Sequence, residues 1–147
     1  MKFPKTLITT AILGFSLASF HSIAWTDTTE QQFQQGFEAT ERGDYQTAFK
    51  LWLPLAEQGN VNAQFNLGLM YQKGEGVKQD YFEAVKWYRQ AEKQGDAKAQ
   101  LNLGVMYING DGVRQDDEQA KEWFGKACDN GYQKGCQYYS KLNRGKR

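Results

Sequence analysis

Histidine, cysteine and serine carry much of the nucleophilic and metal chemistry of proteins, and this chain of 147 residues has few of them. Its one histidine is His21, and its two cysteines are Cys128 and Cys136. A Ser-His-Asp triad, a Cys-His dyad and an imidazole-ligated zinc site each require a histidine in the mature protein. Whether His21 remains there therefore decides most of the enzymatic possibilities.

Residues 1–24 have the pattern of a cleavable secretory signal peptide, and His21 lies within them. Two lysines come first, an uncharged and mostly apolar stretch follows at 7–20, and Ser22 and Ala24 place small side chains at −3 and −1 of a cleavage site. The apolar stretch is short for a bilayer crossing, so an uncleaved anchor is the less favoured alternative. Cleavage after Ala24 would leave a periplasmic or secreted protein without histidine, which excludes most of this chemistry.

The charges argue against nucleic acid as a partner. The chain has 18 basic and 17 acidic residues, and removal of residues 1–24 would take away two lysines, so that 16 bases and 17 acids leave a net charge of −1. A nucleic-acid-binding domain carries a clear basic excess. The basic end of the chain, with Lys141, Arg144, Lys146 and Arg147, is interpreted as a solvated tail rather than a contact for a membrane surface or an acidic partner.

An internal repeat of 36 residues organises the second half of the chain. Aligning residues 61–96 with residues 97–132 without a gap gives 16 identical positions. The shared pattern is A-Q-x-N-L-G-x-M-Y-x-x-G-x-G-V-x-Q-D-x-x-x-A-x-x-W-x-x-x-A-x-x-x-G. Self-similarity at this period is typical of stacked repeats that form a solenoid.

Each repeat has the spacing of two helices joined by a glycine-containing turn. Small and apolar residues recur at helical spacing before and after that turn. Asp80 and Asp116 are predicted N-caps of the second helices, in a capping-box-like arrangement with Glu83 and Gln119. A mid-helix glycine, Gly68 in the first repeat, predicts close approach of the partner helix, because glycine there otherwise costs about 1 kcal/mol relative to alanine.

The repeat pattern predicts about seven helices in all. Residues 25–60 form a divergent helix pair with a turn four residues shorter, in which Gly36 corresponds to Gly68. Residues 61–96 and 97–132 are the two full repeats, and residues 133–147 supply a C-terminal capping helix and a basic tail.

These residues resemble the Sel-1-like repeat, a relative of the tetratricopeptide repeat, and the shorter turn of residues 25–60 is closer to a plain tetratricopeptide turn. The resemblance implies an all-α, right-handed α-solenoid of antiparallel helix pairs. It also implies a role as an adaptor or scaffold that binds a protein or peptide, without a cofactor. We expect a monomer with no stable membrane span after cleavage, and sequence identifies no partner.

The two cysteines lie eight residues apart, on either side of a turn at Gly131. An exported chain with an even number of cysteines usually forms disulfides, and the hairpin at Gly131 should bring Cys128 and Cys136 together. A redox thiol pair and a metal site are the alternatives, but neither C-x-x-C spacing nor further ligands are present. The pair also resembles the disulfide that cysteine-rich Sel-1-like proteins carry in most repeats. We therefore predict a structural disulfide that holds the C-terminal helix.

The same resemblance supplies an alternative function, because some cysteine-rich members have been described as penicillin-binding proteins with weak β-lactamase activity. A serine β-lactamase needs a nucleophilic serine with lysine three positions later. The only serine after residue 24 is Ser140, and Asn143 stands where that lysine would be. Acidic pairs such as Asp116 and Asp117 are better explained as helix starts. We therefore predict no enzymatic activity, no catalytic residue and no metal site.

Repeat spacing separates predicted core positions from candidate contact positions. Tyr71, Trp87, Tyr107 and Trp123 recur at the repeat period and are interpreted as packing between helices rather than as a ligand cage. First helices line the concave side of such a solenoid. The candidate partner-binding residues on these helices are Asn62, Asn66, Leu69, Lys73, Lys98, Asn102, Val105 and Asn109. Both full repeats have asparagine at the same position, Asn66 and Asn102. This agreement fits either a hydrogen bond within the repeat or a ladder of binding residues.

Overall fold

The chain folds into seven consecutive α-helices in the part that the structure, a computed structural model, describes. Residues 18–145 are described, with side chains from Thr28 onward. No strand occurs in this range, and each helix packs mainly against the helices before and after it. The predicted all-α solenoid of helix pairs is therefore confirmed. The helices are α1 (Ala18–Glu41), α2 (Tyr45–Glu57), α3 (Val61–Lys73), α4 (Tyr81–Glu92), α5 (Ala97–Asn109), α6 (Asp117–Asp129) and α7 (Gln133–Arg144).

The predicted signal peptide falls mainly outside the described residues. Residues 1–17 are not described, so cleavage after Ala24 stays a prediction. Lys146 and Arg147, the end of the predicted basic tail, also lie outside the described range. Between residues 18 and 145, no helix combines the length and the hydropathy that a bilayer crossing requires.

Aspartate residues are the N-caps of the second helices, as predicted. The second hydrogen bond of a capping box, from the N-cap backbone N–H to the side chain three residues later, does not form. The Asp80 carboxylate accepts hydrogen bonds from the backbone N–H groups of Phe82 and Glu83, at 2.9 and 3.1 Å. The backbone N–H of Asp80 donates to the carbonyl oxygen of Tyr71 at 2.9 Å, so Glu83 does not accept it. Asp116 has the same arrangement. The loop is thus tied back to the preceding helix at the point where the next one begins.

The mid-helix glycines permit the close helix contact that was predicted for them. A Cβ atom on Gly68 or Gly104 would overlap an aromatic ring of the following helix. Gly36 has the same contact, which supports its alignment with Gly68 across the shorter turn. The glycine and ring pairs are Gly36 with Trp52, Gly68 with Tyr88, and Gly104 with Phe124.

Among the described side chains, one buried cluster extends across α1, α2 and α3 and a second across α4 and α5, and further buried residues lie on α6. Tyr88 and Phe124 are fully buried. Trp87 and Trp123 are half-buried and pack against the first and the second cluster respectively. The repeat-spaced tryptophans therefore pack across neighbouring helix pairs, while the most deeply buried rings are the ones that face the glycines.

Two buried glutamines on first helices bond to the ends of neighbouring second helices, Gln64 to the end of the preceding α2 and Gln100 to the end of the following α6. The Gln64 side-chain amide donates to the carbonyl oxygen of Ala56, eight residues earlier, at 3.0 Å. The side-chain oxygen of Gln64 also accepts from the Gln94 amide at 3.0 Å, and one repeat later the Asn130 amide donates to the side-chain oxygen of Gln100 at 2.8 Å. Both glutamines are almost completely buried, so these bonds satisfy polar groups that would otherwise be costly to desolvate.

A disulfide takes the place of the glutamine contact at the last junction. Cys136 lies 36 residues after Gln100, and Cys128 lies 72 residues after Ala56. The two cysteines are bonded, with their Cα atoms 4.6 Å apart. The predicted disulfide is confirmed, and it joins α6 to α7 covalently where the α2–α3 junction has the hydrogen bond from Gln64 to Ala56.

The last helix presents polar side chains where internal first helices present apolar ones. In α3, Phe65 lies 5.8 Å from the Tyr88 ring, and Gly68 packs against the same ring. The corresponding positions of α7 are Gln137 and Ser140, both exposed. This helix therefore packs on α6 with one face and presents polar side chains to solvent at Gln137 and Ser140.

Candidate partner-binding groove

A groove of about 530 Å³ lies between α1 and α3 and is bordered by α5. We call it the N-terminal groove. Five of the eight predicted contact residues line it, namely Asn62, Asn66, Leu69, Lys73 and Lys98. The other lining residues are Phe33, Phe37, Thr40, Glu41, Tyr45, Trp52, Phe65, Met70 and Glu75.

The packing of α1 on α2 holds the aromatic floor of the N-terminal groove in place. The Phe33 ring stacks on Trp52 with centroids 5.7 Å apart, and the Trp52 indole N–H donates to the Phe33 carbonyl oxygen at 3.0 Å. Phe37 lies one turn further along α1 and is 46% exposed, which is unusual for a phenylalanine. The groove thus offers solvent-exposed aromatic surface on a rigid support.

The rim of the N-terminal groove carries amide and charged groups. Lys73 forms an ion pair with Glu75, with its ammonium nitrogen 3.8 Å from a carboxylate oxygen. The Lys98 ammonium lies 5.9 Å from the centre of the Phe65 ring. An apolar floor with a polar rim is the usual anatomy of a site that binds a protein segment.

The two repeat-identical asparagines have different surroundings. Asn102 forms a hydrogen bond with the Tyr88 hydroxyl, which itself donates to the Gln72 side-chain oxygen at 2.6 Å. Burial raises the pKa of Tyr88 well above its usual value, and the bond with Asn102 opposes that shift. Asn66 lines the N-terminal groove, and the ring that corresponds to Tyr88 is Trp52, which bonds to a backbone carbonyl instead. Asn102 thus has an internal partner, whereas Asn66 lies on the groove wall.

A second groove, of about 620 Å³, lies between α5 and α7. We call it the C-terminal groove. It contains the remaining predicted contacts, Val105 and Asn109, and its largest aromatic surface comes from Tyr138, which stacks on Phe124 with centroids 5.0 Å apart. The other lining residues are Ile108, Asp117, Lys141, Leu142 and Gly145. The predicted residues are therefore divided between two grooves, and Asn102 lines neither.

Sequence reasoning missed the aromatic residues that α1 and α7 contribute to the grooves. Phe37 corresponds to Leu69 once the four-residue difference in turn length is allowed for, and Tyr138 lies 36 residues after Asn102. Extending the repeat alignment into α1 and α7 would have identified both residues. The reason they were missed is that the full pattern covers only the two internal units.

The described side chains include no cluster with the composition of a metal site. Between Thr28 and Gly145, no group of three or more Asp, Glu, His or Cys side chains is close enough to bind a metal ion. Ser140 is exposed on α7, and both cysteines are in the disulfide.

The Sel1 repeat family matches three consecutive segments of the chain, residues 33–60, 61–96 and 97–132. Together the three segments cover about two thirds of the chain. No curated protein matches the chain significantly.

Several solved structures have similar folds. A Sel1 repeat protein from Oxalobacter formigenes is 35% identical with a TM-score of 0.66, over 73% of this chain and 46% of that one. A protective antigen of uropathogenic Escherichia coli with an SLR fold is 30% identical with a TM-score of 0.67, over 91% of this chain and 34% of the antigen. Cysteine-rich protein B of Helicobacter pylori is 26% identical with a TM-score of 0.61, over 75% of this chain and 93% of that one.

This chain thus spans about half of the Oxalobacter protein and a third of the Escherichia antigen. Sel1 repeats are typically non-catalytic modules for protein–protein interaction. With three matched repeats, and helix pairs that repeat the same glycine–ring contact, the chain belongs to the Sel1 repeat family.

Proposed function

We propose that this chain is an exported, non-enzymatic interaction module that binds a segment of another protein in the N-terminal groove. The observation that carries the proposal is the solvent-exposed aromatic surface of Phe37 beside Leu69, on a rigid helical support. Interface energy is concentrated in a few buried aromatic or aliphatic anchors. A preformed groove that supplies such anchors loses little conformational entropy when it binds.

Export is the part of the proposal that rests on residues 1–24 and on the disulfide. Disulfides persist in oxidising compartments such as the periplasm and the extracellular space. The Cys128–Cys136 bond therefore agrees with a protein that is periplasmic or secreted. A monomer is the expected form, because the end helix α7 presents polar side chains at Gln137 and Ser140 where an internal helix would pack onto the next one.

The alternative function, a penicillin-binding or β-lactamase-like protein, finds no supporting observation in the site. Ser140 lies on the exposed face of α7, away from the N-terminal groove, and the lysine that serine β-lactamases place three residues later is replaced by Asn143. The proposal therefore assigns binding, and no covalent step, to this chain.

Leu69→Arg should abolish binding in the N-terminal groove. A library of random octapeptides is panned on the purified, disulfide-bonded protein, and the affinities of the enriched peptides are measured by fluorescence anisotropy. Arginine at position 69 places a charge and extra volume on the apolar floor, so we expect affinity to fall at least about tenfold, as for loss of an interface anchor.

Gln90→Arg is the matched control, because it introduces the same side chain at an exposed position of α4 outside both grooves. We expect this variant to bind like the wild type, and both variants to keep the wild-type far-UV circular dichroism. Equal binding by the two variants would contradict the proposed site, as would a library from which no peptide is enriched.

A further inference from the structure

The charges around the N-terminal groove differ between its two borders. Lys73 and Glu75 lie 3.8 Å apart and largely neutralise each other. Glu41, at the end of α1, and Lys98, in the first turn of α5, both line the groove and are exposed. Within residues 28–145, the ion pairs involve neither of them. The groove therefore has an unpaired negative charge at its α1 border and an unpaired positive charge at its α5 border.

These two charges belong to this groove and are not general features of the repeat. The position of Lys98 is occupied in α3 by Asn62, and the position of Glu41 is occupied in α3 by Lys73. The Lys98 ammonium lies 5.9 Å from the Phe65 ring centre, so it is held near the aromatic floor. A ligand that contacts the aromatic floor can therefore also contact the Lys98 ammonium.

The distance between the two borders sets the length of the ligand. The path from α1 to α5 crosses α3, and because α1 and α3, like α3 and α5, are not packed directly together, each of the two steps is at least the roughly 8–10 Å of packed helices. Glu41 and Lys98 also differ by about three turns along the helix axes, or roughly 16 Å. The diagonal is therefore at least about 24 Å, which an extended peptide spans with about seven residues or more.

We propose that the N-terminal groove selects an extended segment of at least about seven residues that carries a basic side chain at one end, apolar side chains in the middle and an acidic side chain at the other end. The basic side chain lies against Glu41, the apolar ones against Phe37 and Leu69, and the acidic one against Lys98. Charge complementarity of this kind sets orientation and partner choice more than total affinity. This inference rests on the proposed function, since it assigns a ligand class to the same groove.

The test uses three synthetic octapeptides with the same apolar centre. One has lysine at one end and aspartate at the other, the second has lysine at both ends, and the third has aspartate at both ends. Their affinities are measured at low ionic strength for the wild-type protein and for Glu41→Lys, Lys98→Glu and Leu69→Arg. Exposed charge pairs contribute modestly and are screened by salt, so differences of about threefold to tenfold are expected.

The wild type should bind the mixed peptide more tightly than either like-charged peptide. Glu41→Lys makes both borders positive and should shift the preference to the peptide with two aspartates, whereas Lys98→Glu should shift it to the peptide with two lysines. The same ranking of peptides in all of these proteins would overturn the proposed charge selection.

The failure of charge selection is distinguishable from the failure of the groove itself. If the three peptides bind the wild type equally and all lose affinity with Leu69→Arg, the groove remains the binding site and only the charge selection is wrong. If no peptide binds, or if Leu69→Arg has no effect, both proposals are wrong. If sedimentation shows a dimer that Leu69→Arg dissociates, a second copy occupies the groove and the proposed ligand class is wrong.

Discussion

Replacing Gly104 with alanine should destabilise the protein by about 2 kcal/mol, even though alanine is the better helix former. Alanine gains up to about 1 kcal/mol of helix propensity over glycine. The added methyl group would overlap the Phe124 ring, which is only 1% exposed and is stacked against Tyr138. Overpacking of a core typically costs about 1–3 kcal/mol, and overlap with a confined ring lies at the upper end or beyond.

Gly125→Ala is the matched control, because Gly125 is also in the middle of a helix but its added Cβ would lie 3.5 Å from the Tyr139 ring, at ordinary contact distance. This variant should be unchanged or stabilised by up to about 1 kcal/mol. The free energy of unfolding is measured by urea denaturation for both. In addition, the substitution Phe124→Leu should lower the free energy of unfolding less in the Gly104→Ala variant than in the wild type. Equal stability of the two alanine variants would contradict the close-packing explanation.

Removing the disulfide should cost about 2.5 kcal/mol of unfolding free energy, the value that chain entropy predicts for so short a loop. The bond is between Cys128 and Cys136, and α7 has no later helix in the described chain to hold it. Gly135 packs closely against Ala127 at the same junction, so the contact depends on accurate placement of α7. The measurement is urea denaturation of the Cys128→Ala/Cys136→Ala variant, together with hydrogen exchange of the α7 amides.

We expect the loss of protection to be concentrated in α7, with α3 and α4 retaining most of theirs. Wild-type protein reduced with a dithiol serves as the control and should reproduce the behaviour of the double variant. A loss below about 0.5 kcal/mol, or protection lost evenly along the chain, would show that the bond does not hold the C-terminal helix in particular.

The helical architecture could be predicted because the same physical constraints occur twice in the sequence. Gly76 and Gly112 have positive φ values of 73° and 66°, and each packs closely against the backbone at the start of the second helix in the preceding unit. Such a position tolerates only glycine without strain, so it remained glycine in both copies. Because these residues are repeated, the turns and helix starts could be predicted from the sequence alone.

The binding surface was only partly predictable, because it depends on how α1 and α3 lie next to each other. Leu69 and Asn66 were found from helical spacing, but Phe37 is in the divergent first unit, where the repeat pattern is weak. The internal role of Asn102 depends on Tyr88, whose place in the preceding unit, beside Asn66, is taken by Trp52. Identical residues thus acquired different roles through neighbours that the pattern does not specify.

The central claim is that the N-terminal groove binds a peptide segment, and an NMR titration tests it most directly. Backbone amide shifts of the ¹⁵N-labelled, disulfide-bonded protein are followed while the mixed-charge octapeptide is added. The account predicts that the largest shift changes fall on α1 and α3, around Phe37 and Leu69, with a smaller change at Lys98. Changes concentrated on the exposed face of α4, around Gln90, or confined to α7, would contradict it.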